Sequence, residues 1–526
     1  MKNTYIFLVL FFSTPLLFAQ NTPSSSVGNN SNTGYKKRVL ENAEIELLSS
    51  FYTQDGDNAA VTGGIGTEKL NDFATNINVA IPLNDDDVLT IDGTISAYTS
   101  ASSSNLNPFS SSASSSYGNY SSSSVSGVSG ASQSGGGGTR GGRNSNNTTS
   151  SSSSSSTTVS EVGSPWVASS GASRSDVWRS GSLSYSHTSD DRNTMYSGNI
   201  SLSKEYDYGS FGAGLAVSKQ FNDKNTEVGI KGNVYLDKWY PAFPTELKTY
   251  IENQGDLDTD YFSDVEILNA DGEAIDKSSS DAWSPLNNYL ITTDKRRTYS
   301  VSLSFSQIVN KNSQFSIFSD LIMQTGWLSN PMQRVYFSDI DNYYIGTASS
   351  ISDYTDPSNT DVFQLADDIE RLPDRRMKIP VGFRYHYYLN ERFVVKSYYR
   401  FYFDDWGVIS HTLNLELPIK LGSYFTFYPN YRFYTQTAAK YFAPYEEHVS
   451  TEQYYTSDYD LSAFYANQYG LGIKYTDILT KGHIGSLGLK NISLNYNSYL
   501  RSTGLKAHIV TLGAKFIIDK PVSKQY

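Results

Sequence analysis

Residues 299–306 read YSVSLSFS: Tyr299, Val301, Leu303 and Phe305 alternate one for one with Ser300, Ser302, Ser304 and Ser306. A repeat of two is the mark of a strand, because successive side chains leave an extended backbone on opposite faces. One face here is apolar throughout and the other carries hydroxyls. The pattern recurs at Leu89, Ile91 and Ile95 against Thr90, Asp92 and Thr94, and at Val510, Leu512, Ala514 and Phe516 against Thr511, Gly513 and Lys515. A soluble sandwich of two sheets would alternate in the same way, so the reversals between strands must decide. Short polar reversals, at 84–87, 190–193, 222–225, 310–312, 390–392, 422–423 and 481–485, alternate along the chain with a second set. That second set comprises the long segments 54–71, 100–177, 241–296, 329–375 and 438–461 and three tight turns at 207–210, 404–407 and 502–504. Short turns at one end and long loops at the other are how a transmembrane β-barrel is built, and a sandwich has no reason to sort them. The spacing predicts an all-β fold, a closed antiparallel barrel of about sixteen strands with both chain ends on the short-turn side.

The composition agrees with a barrel whose lumen is wet. Aromatic residues make up 14% of the 526 residues, with 41 tyrosines, yet the chain is rich in Ser, Asn and Gly. Every second strand residue of such a barrel faces water, and amphipathic rings collect at the membrane rims. The formal net charge of -12 excludes nucleic acid as the main partner, since phosphate binding needs a basic face. The absence of cysteine removes disulfides, thiol catalysis and Cys-ligated metals. Lys2, the apolar run 5–18 and Ala19-Gln20 have the form of a cleaved signal peptide, expected over 1–19. A flexible tail over 20–43 is expected to follow, then the barrel over 44–519 and a short periplasmic tail over 520–526. Within the barrel, the low-complexity Ser/Gly stretch at 100–177 cannot build a core and is expected to be a disordered external loop, removable over 110–160 without loss of assembly. The expected location is the outer membrane of a Gram-negative bacterium, with its lipid as a partner.

Several segments carry a resemblance: FYTQDGDNAAVTGGIGTEKL from Phe51, RTYSVSLSFSQIVNK from Arg297, ERLPDRRMKIPVG from Glu370, YYRFYFDDWGVISHT from Tyr398, then YTQTAAKYFAPY and YYTSDYDLSAF. Together with the last strand they cover nearly all of the mature chain, which resembles a family of outer-membrane barrels from Bacteroidota known only as a domain of unknown function. The resemblance implies the barrel and the compartment and no activity. The Ser-rich insert after TSASSSN is longer than the family leads one to expect.

Alternation also projects charges into the lumen. Lys378, Arg384 and His386 share one strand and one parity, Lys396 and Arg400 the next strand, and Arg432 a strand two further on. Glu416 lies between them, and Asp320, Asp92, Glu44 and Glu46 come from more distant strands. An acidic wall facing a basic one is the transverse field of a porin-like constriction for small polar solutes. The bland alternative is a filled lumen in which these groups pair, and a non-conducting scaffold presenting loops or turns to partner proteins is the competing function. Asp256, Asp258 and Asp260 stand at alternate positions in a long loop and are weak ligand candidates for Ca2+, lacking the Gly and distal Glu of a complete EF-hand. No cofactor is expected, because Gly63-Gly64-Ile65-Gly66 leads into no helix and no phosphate loop is present. Catalysis is not expected either: His386 points inward, His411 toward lipid, His448 sits in a loop, and no acid has a spacing that would orient one of them toward a serine. The pairs Tyr343-Tyr344, Tyr398-Tyr399 and Tyr454-Tyr455, with Trp239 and Trp327, are expected in the aromatic girdles at strand ends.

Overall fold

A computed structural model describes residues 38–100, 164–165, 176–205, 207–286, 289–290 and 294–518. The expected signal peptide, the expected N-terminal tail as far as residue 37, nearly all of the expected external loop at 101–175 and the last eight residues lie outside the described residues. Sixteen strands form one closed antiparallel ladder. They are β1 Glu44–Asp55, β2 Leu70–Pro82, β3 Asp87–Ser100, β4 Asp176–Thr188, β5 Thr194–Lys204, β6 Tyr208–Phe221, β7 Thr226–Trp239 and β8 Asp294–Asn310. The second half comprises β9 Ser313–Gly326, β10 Arg375–Tyr388, β11 Val394–Asp404, β12 Ile409–Glu416, β13 Phe425–Gln436, β14 Phe464–Thr476, β15 Leu487–Arg501 and β16 Lys506–Ile518. Each pairs with its neighbour in sequence, and β1 closes the ring against β16 from Glu44↔Ile517 to Asp55↔Lys506. Closure satisfies the backbone groups of every strand without water, which a lipid setting demands.

Local chemistry sets the breaks. At 84–87 the Asn84 side chain accepts from the Asp86 and Asp87 amides at 2.8 and 2.9 Å, an Asx turn. Asn222, Asp223 and Lys224 all take positive φ in the tight reversal at 222–225. Pro418 interrupts β12, which resumes as Ile419–Leu421 against β13.

The two faces behave as the alternation predicts. Leu215, Leu202 and Leu303 point outward with 74%, 64% and 55% of their surface exposed, which is tolerable only against lipid. This apolar exterior around a closed ring makes the chain an outer-membrane protein. Inward residues divide by depth. Near the long-loop end Asp72, Ser96, Arg376, Asp404 and Thr412 are buried, whereas Asn76, Asp92, Arg384, Arg400 and Asn414, further down the same strands, are half-buried.

The cause of that burial was not foreseen. The long loops fold into a cap with its own core, built on Leu247, Phe262, Ile267, Trp283, Phe363 and Leu365 among others. It contains helix α1, Thr245–Glu252, and a small sheet of Ile267–Leu268, Tyr344–Gly346 and Val362–Gln364. Tyr344 and Tyr455 are buried in this cap, so the girdle expectation is corrected for them: their rings pack edge-on to Tyr354 and Phe337. Trp239 likewise turns inward against Tyr208, and Tyr398 stacks on Phe318 inside the barrel.

Candidate functional site

The register gathers the inward charges on β9–β13 into three tiers. In the middle tier Ser316, Arg384, Tyr398, Asn414, Arg432 and Gln468 follow one another across adjacent strands. Arg400 lies one tier toward the cap, opposite Gly382 and Thr412, and His386, Lys396 and Glu416 form the tier below. Each of these groups is half-buried. Asp320 stands on β9 where the β9–β10 register skips two residues near Pro380, and Asp92 faces inward from β3, eight strands around the ring from β11. Strands that far apart in a sixteen-stranded ring are diametrically opposed, so Asp92 and the basic tiers are on facing walls.

Some of these charges are already satisfied. Lys396 Nζ donates to Glu416 Oε1 at 2.8 Å, Lys515 to Glu44 at 2.8 Å, and Asp92 accepts from Asn76 and Asn78 at 3.0 and 3.2 Å. His386 meets Gln314 at 3.1 Å. The Arg384 guanidinium lies 4.9 Å from the Phe318 ring centre and 5.8 Å from that of Tyr398, a cation held on aromatic faces. Lys378 does not join the half-exposed tiers: it is 5% exposed, opposite Asp404, nearer the cap than Arg384 and Arg400. Alternation fixes the face on which Lys378 stands but not its depth.

Above the tiers runs a collar of buried arginine–carboxylate pairs, which the sequence reading missed. Arg296 Nε donates to Asp237 at 2.8 Å and its guanidinium lies over Trp239 and Tyr208. Arg376 pairs with Asp404, which also accepts from Tyr402 at 2.6 Å, and its cation sits 4.2 Å over Trp406. Buried Arg501 reaches the half-buried Asp460 at 2.8 Å. Arg376 shares the parity of Lys378 and Arg384, so alternation alone could have found it; no spacing links Arg501 to Asp460.

The cap closes over the collar. Arg334, from the loop after β9, donates to both oxygens of Glu246 on α1 at 2.6 and 3.0 Å and to the Val61 carbonyl of the loop after β1 at 2.9 Å. Both side chains of the pair are fully buried. Because β1 and β9 lie on opposite sides of the ring, this cluster spans the mouth. Thr456, from the loop after β13, donates to Glu370 at 2.6 Å, and the Asn330 amide donates to the other oxygen of Glu370. Burial, with Asp458 nearby, pushes the Glu370 carboxyl up to about 8, and burial raises Asp367 to about 7.

The remaining candidates resolve as follows. Asp256 accepts from the Asp258 amide at 2.9 Å as a turn, and no group of three or more His, Asp or Glu side chains able to hold an ion exists among the described residues. The expectation that no acid orients a histidine is corrected: His448 Nδ1 meets Glu452 at 2.6 Å. Its Nε2 is engaged by the Thr456 carbonyl at 3.1 Å, which leaves that ring nothing to offer a nucleophile.

A family model described as "Protein of unknown function (DUF3570)" matches residues 111–508, well over half of the chain. The chain belongs to this family. No curated protein matches this chain. Among solved structures, a bacterial polysaccharide outer-membrane secretin is similar at 8% identity and TM-score 0.37, covering 90% of this chain and 98% of its own. The TodX monoaromatic hydrocarbon channel, in a deltaS2S3 mutant form, is similar at 8% identity and TM-score 0.36, with 91% of each chain covered. A BenF-like porin from Pseudomonas fluorescens Pf-5 is similar at 7% identity and TM-score 0.35, covering 90% of this chain and 98% of its own. Likeness at these scores carries no argument about solute or partner, and the barrel of this DUF3570 protein rests on its own closed ladder.

Proposed function

We propose that this DUF3570 barrel is a capped channel for small polar solutes, with Arg384, His386, Lys396, Arg400, Arg432, Glu416, Asp320 and Asp92 lining the hydrated part of the lumen. One observation carries the reading: below the collar the inward charges are half-exposed, whereas a filled lumen would bury them. Charged side chains left wet inside a low-dielectric wall focus a field that selects solutes. The cap sets access to that lumen from outside, and passage requires part of it to move.

The test is conductance of the purified full chain in a planar bilayer, together with swelling of proteoliposomes in uncharged sugars of increasing size. Discrete conductance, and swelling that falls with sugar size, supports the channel. A heat-modifiable, folded protein that stays silent even when the cap is loosened would transfer the case to the non-conducting scaffold.

A further inference from the structure

The outward face of the barrel carries a feature that the channel does not use. Arg179 on β4 stands directly opposite Lys204 on β5, Lys204 opposite Gly209 on β6, Gly209 opposite Lys238 on β7, and Lys238 opposite Lys295 on β8. Five neighbouring strands thus present one row of four cations, in register, around a central glycine. All four cations are exposed, and they share the outward parity of the lipid-facing leucines. The row lies within the last few residues of each strand at the long-loop end. Arg297, one outward position below Lys295, and Arg375, level with it two strands on, widen the cationic field.

Like charges directly opposite one another across a ladder repel, and here Arg179–Lys204 and Lys238–Lys295 are such pairs. None of the four forms an ion pair among the described residues; Lys238 lies 4.9 Å over the exposed ring of Tyr240. Elsewhere on the same rim the pattern differs. Lys506 stands opposite Asp55, and Phe403, Ile409, Tyr465 and Leu500 face outward with no charge. The row is therefore a local accumulation of uncompensated positive charge at the boundary of the apolar belt. Directly beneath it, Leu202, Phe211 and Leu236 form an apolar shelf, again in register. At its centre Gly209 leaves open space, since a Cβ built there meets nothing within 4 Å.

We infer that this row binds the phosphates of an anionic lipid of the outer leaflet, its acyl chains lying on the Leu202–Phe211–Leu236 shelf. Lysine ammoniums are compact point charges suited to phosphate oxygens. Five strands at ~4.8 Å spacing span roughly 19 Å, wide enough for a head group bearing more than one phosphate, and Gly209 leaves room for it against the wall.

The test uses the full-length folded protein in detergent, with diphosphoryl lipid A as the probe and its fully dephosphorylated form and inorganic phosphate as comparators. Lys204→Gln/Lys238→Gln/Lys295→Gln should weaken lipid A binding about a hundredfold, at roughly fivefold per charge near a lipid surface. Lys506→Gln, on the far side of the rim, should leave binding unchanged, and the triple Lys→Arg variant should retain it. All variants should keep the heat-modifiable band, because the substituted side chains are exposed. Equal binding of the phosphorylated and dephosphorylated lipid, displacement by inorganic phosphate at comparable concentration, or undiminished binding by the triple Gln variant would each overturn the inference.

Discussion

Glu246→Leu should open the cap without breaking the barrel. The carboxylate is fully buried and supplies both acceptors for the Arg334 fork. Its removal takes away the carboxylate of a buried ion pair, while the Val61 carbonyl and the Phe363 ring, 5.2 Å away, stay in contact with the guanidinium. Breaking a buried pair from one side costs about 3–5 kcal/mol, which lowers the closed-to-open ratio of the cap between about a hundredfold and several thousandfold. The barrel ladder is untouched, because neither residue lies in a barrel strand. Two readouts follow: limited trypsin digestion should cut the loops at 240–293 and 327–374 far faster than in wild type, and single-channel records should show longer or more frequent open periods. Replacing both partners, Glu246→Leu with Arg334→Met, removes the buried cation as well and should restore protease resistance, since apolar replacement of a buried pair is often neutral or stabilising. A single variant as resistant as wild type with unchanged conductance would refute the reasoning. So would a rise in conductance seen only when the heat-modifiable band is lost.

Three further outcomes are expected. Arg384→Glu with Arg400→Glu should shift the reversal potential in a salt gradient toward cations, because both stand half-exposed in adjacent tiers; unchanged selectivity at normal conductance would place the solute route elsewhere. Leu215→Arg should impair assembly by about 2–4 kcal/mol, as a cation on the lipid face does toward the midplane, whereas the same change at inward Ser218 should be tolerated; folding yields from urea compare the two. Glu370 keeps its proton up to about pH 8 in the folded cap but has an ordinary value of 4.5, and Asp367 likewise moves from 3.8 to about 7. The folded cap therefore binds more protons than the unfolded loops across this window, and it loses stability as pH rises from about 5 to 8. Protease cleavage of the cap should accelerate between pH 5.5 and 8.5, and less so in Glu370→Gln; a flat profile contradicts the assignment.

The strand pattern was legible because a barrel strand solves a local problem. Residues 299–306 alternate since each must meet either lipid or water, and the same parity placed Arg384, Arg400 and Arg432 inward and His411 outward without any knowledge of neighbours. The turns were legible for a similar reason: Asn84 and Asn222 act through their own backbones within a few residues. Parity is silent about depth, so it does not separate Lys378, buried at the collar, from the half-exposed tiers.

The cap depended on a different kind of information. Its strands are two or three residues long, as at Ile267–Leu268 and Val362–Gln364, too short to show a period, and its decisive contact joins Arg334 to Val61 across 273 positions. Such a contact exists only once sixteen strands have closed and brought the loops of opposite walls together. The sequence by itself determined the barrel, its strand number, which residues face lipid and which face the lumen, because those choices are made residue by residue against two solvents. Only the tertiary structure decided that the mouth is covered, that arginine–carboxylate pairs seal its collar and that four outward cations stand in one row, because register and closure set which residues of distant segments become neighbours.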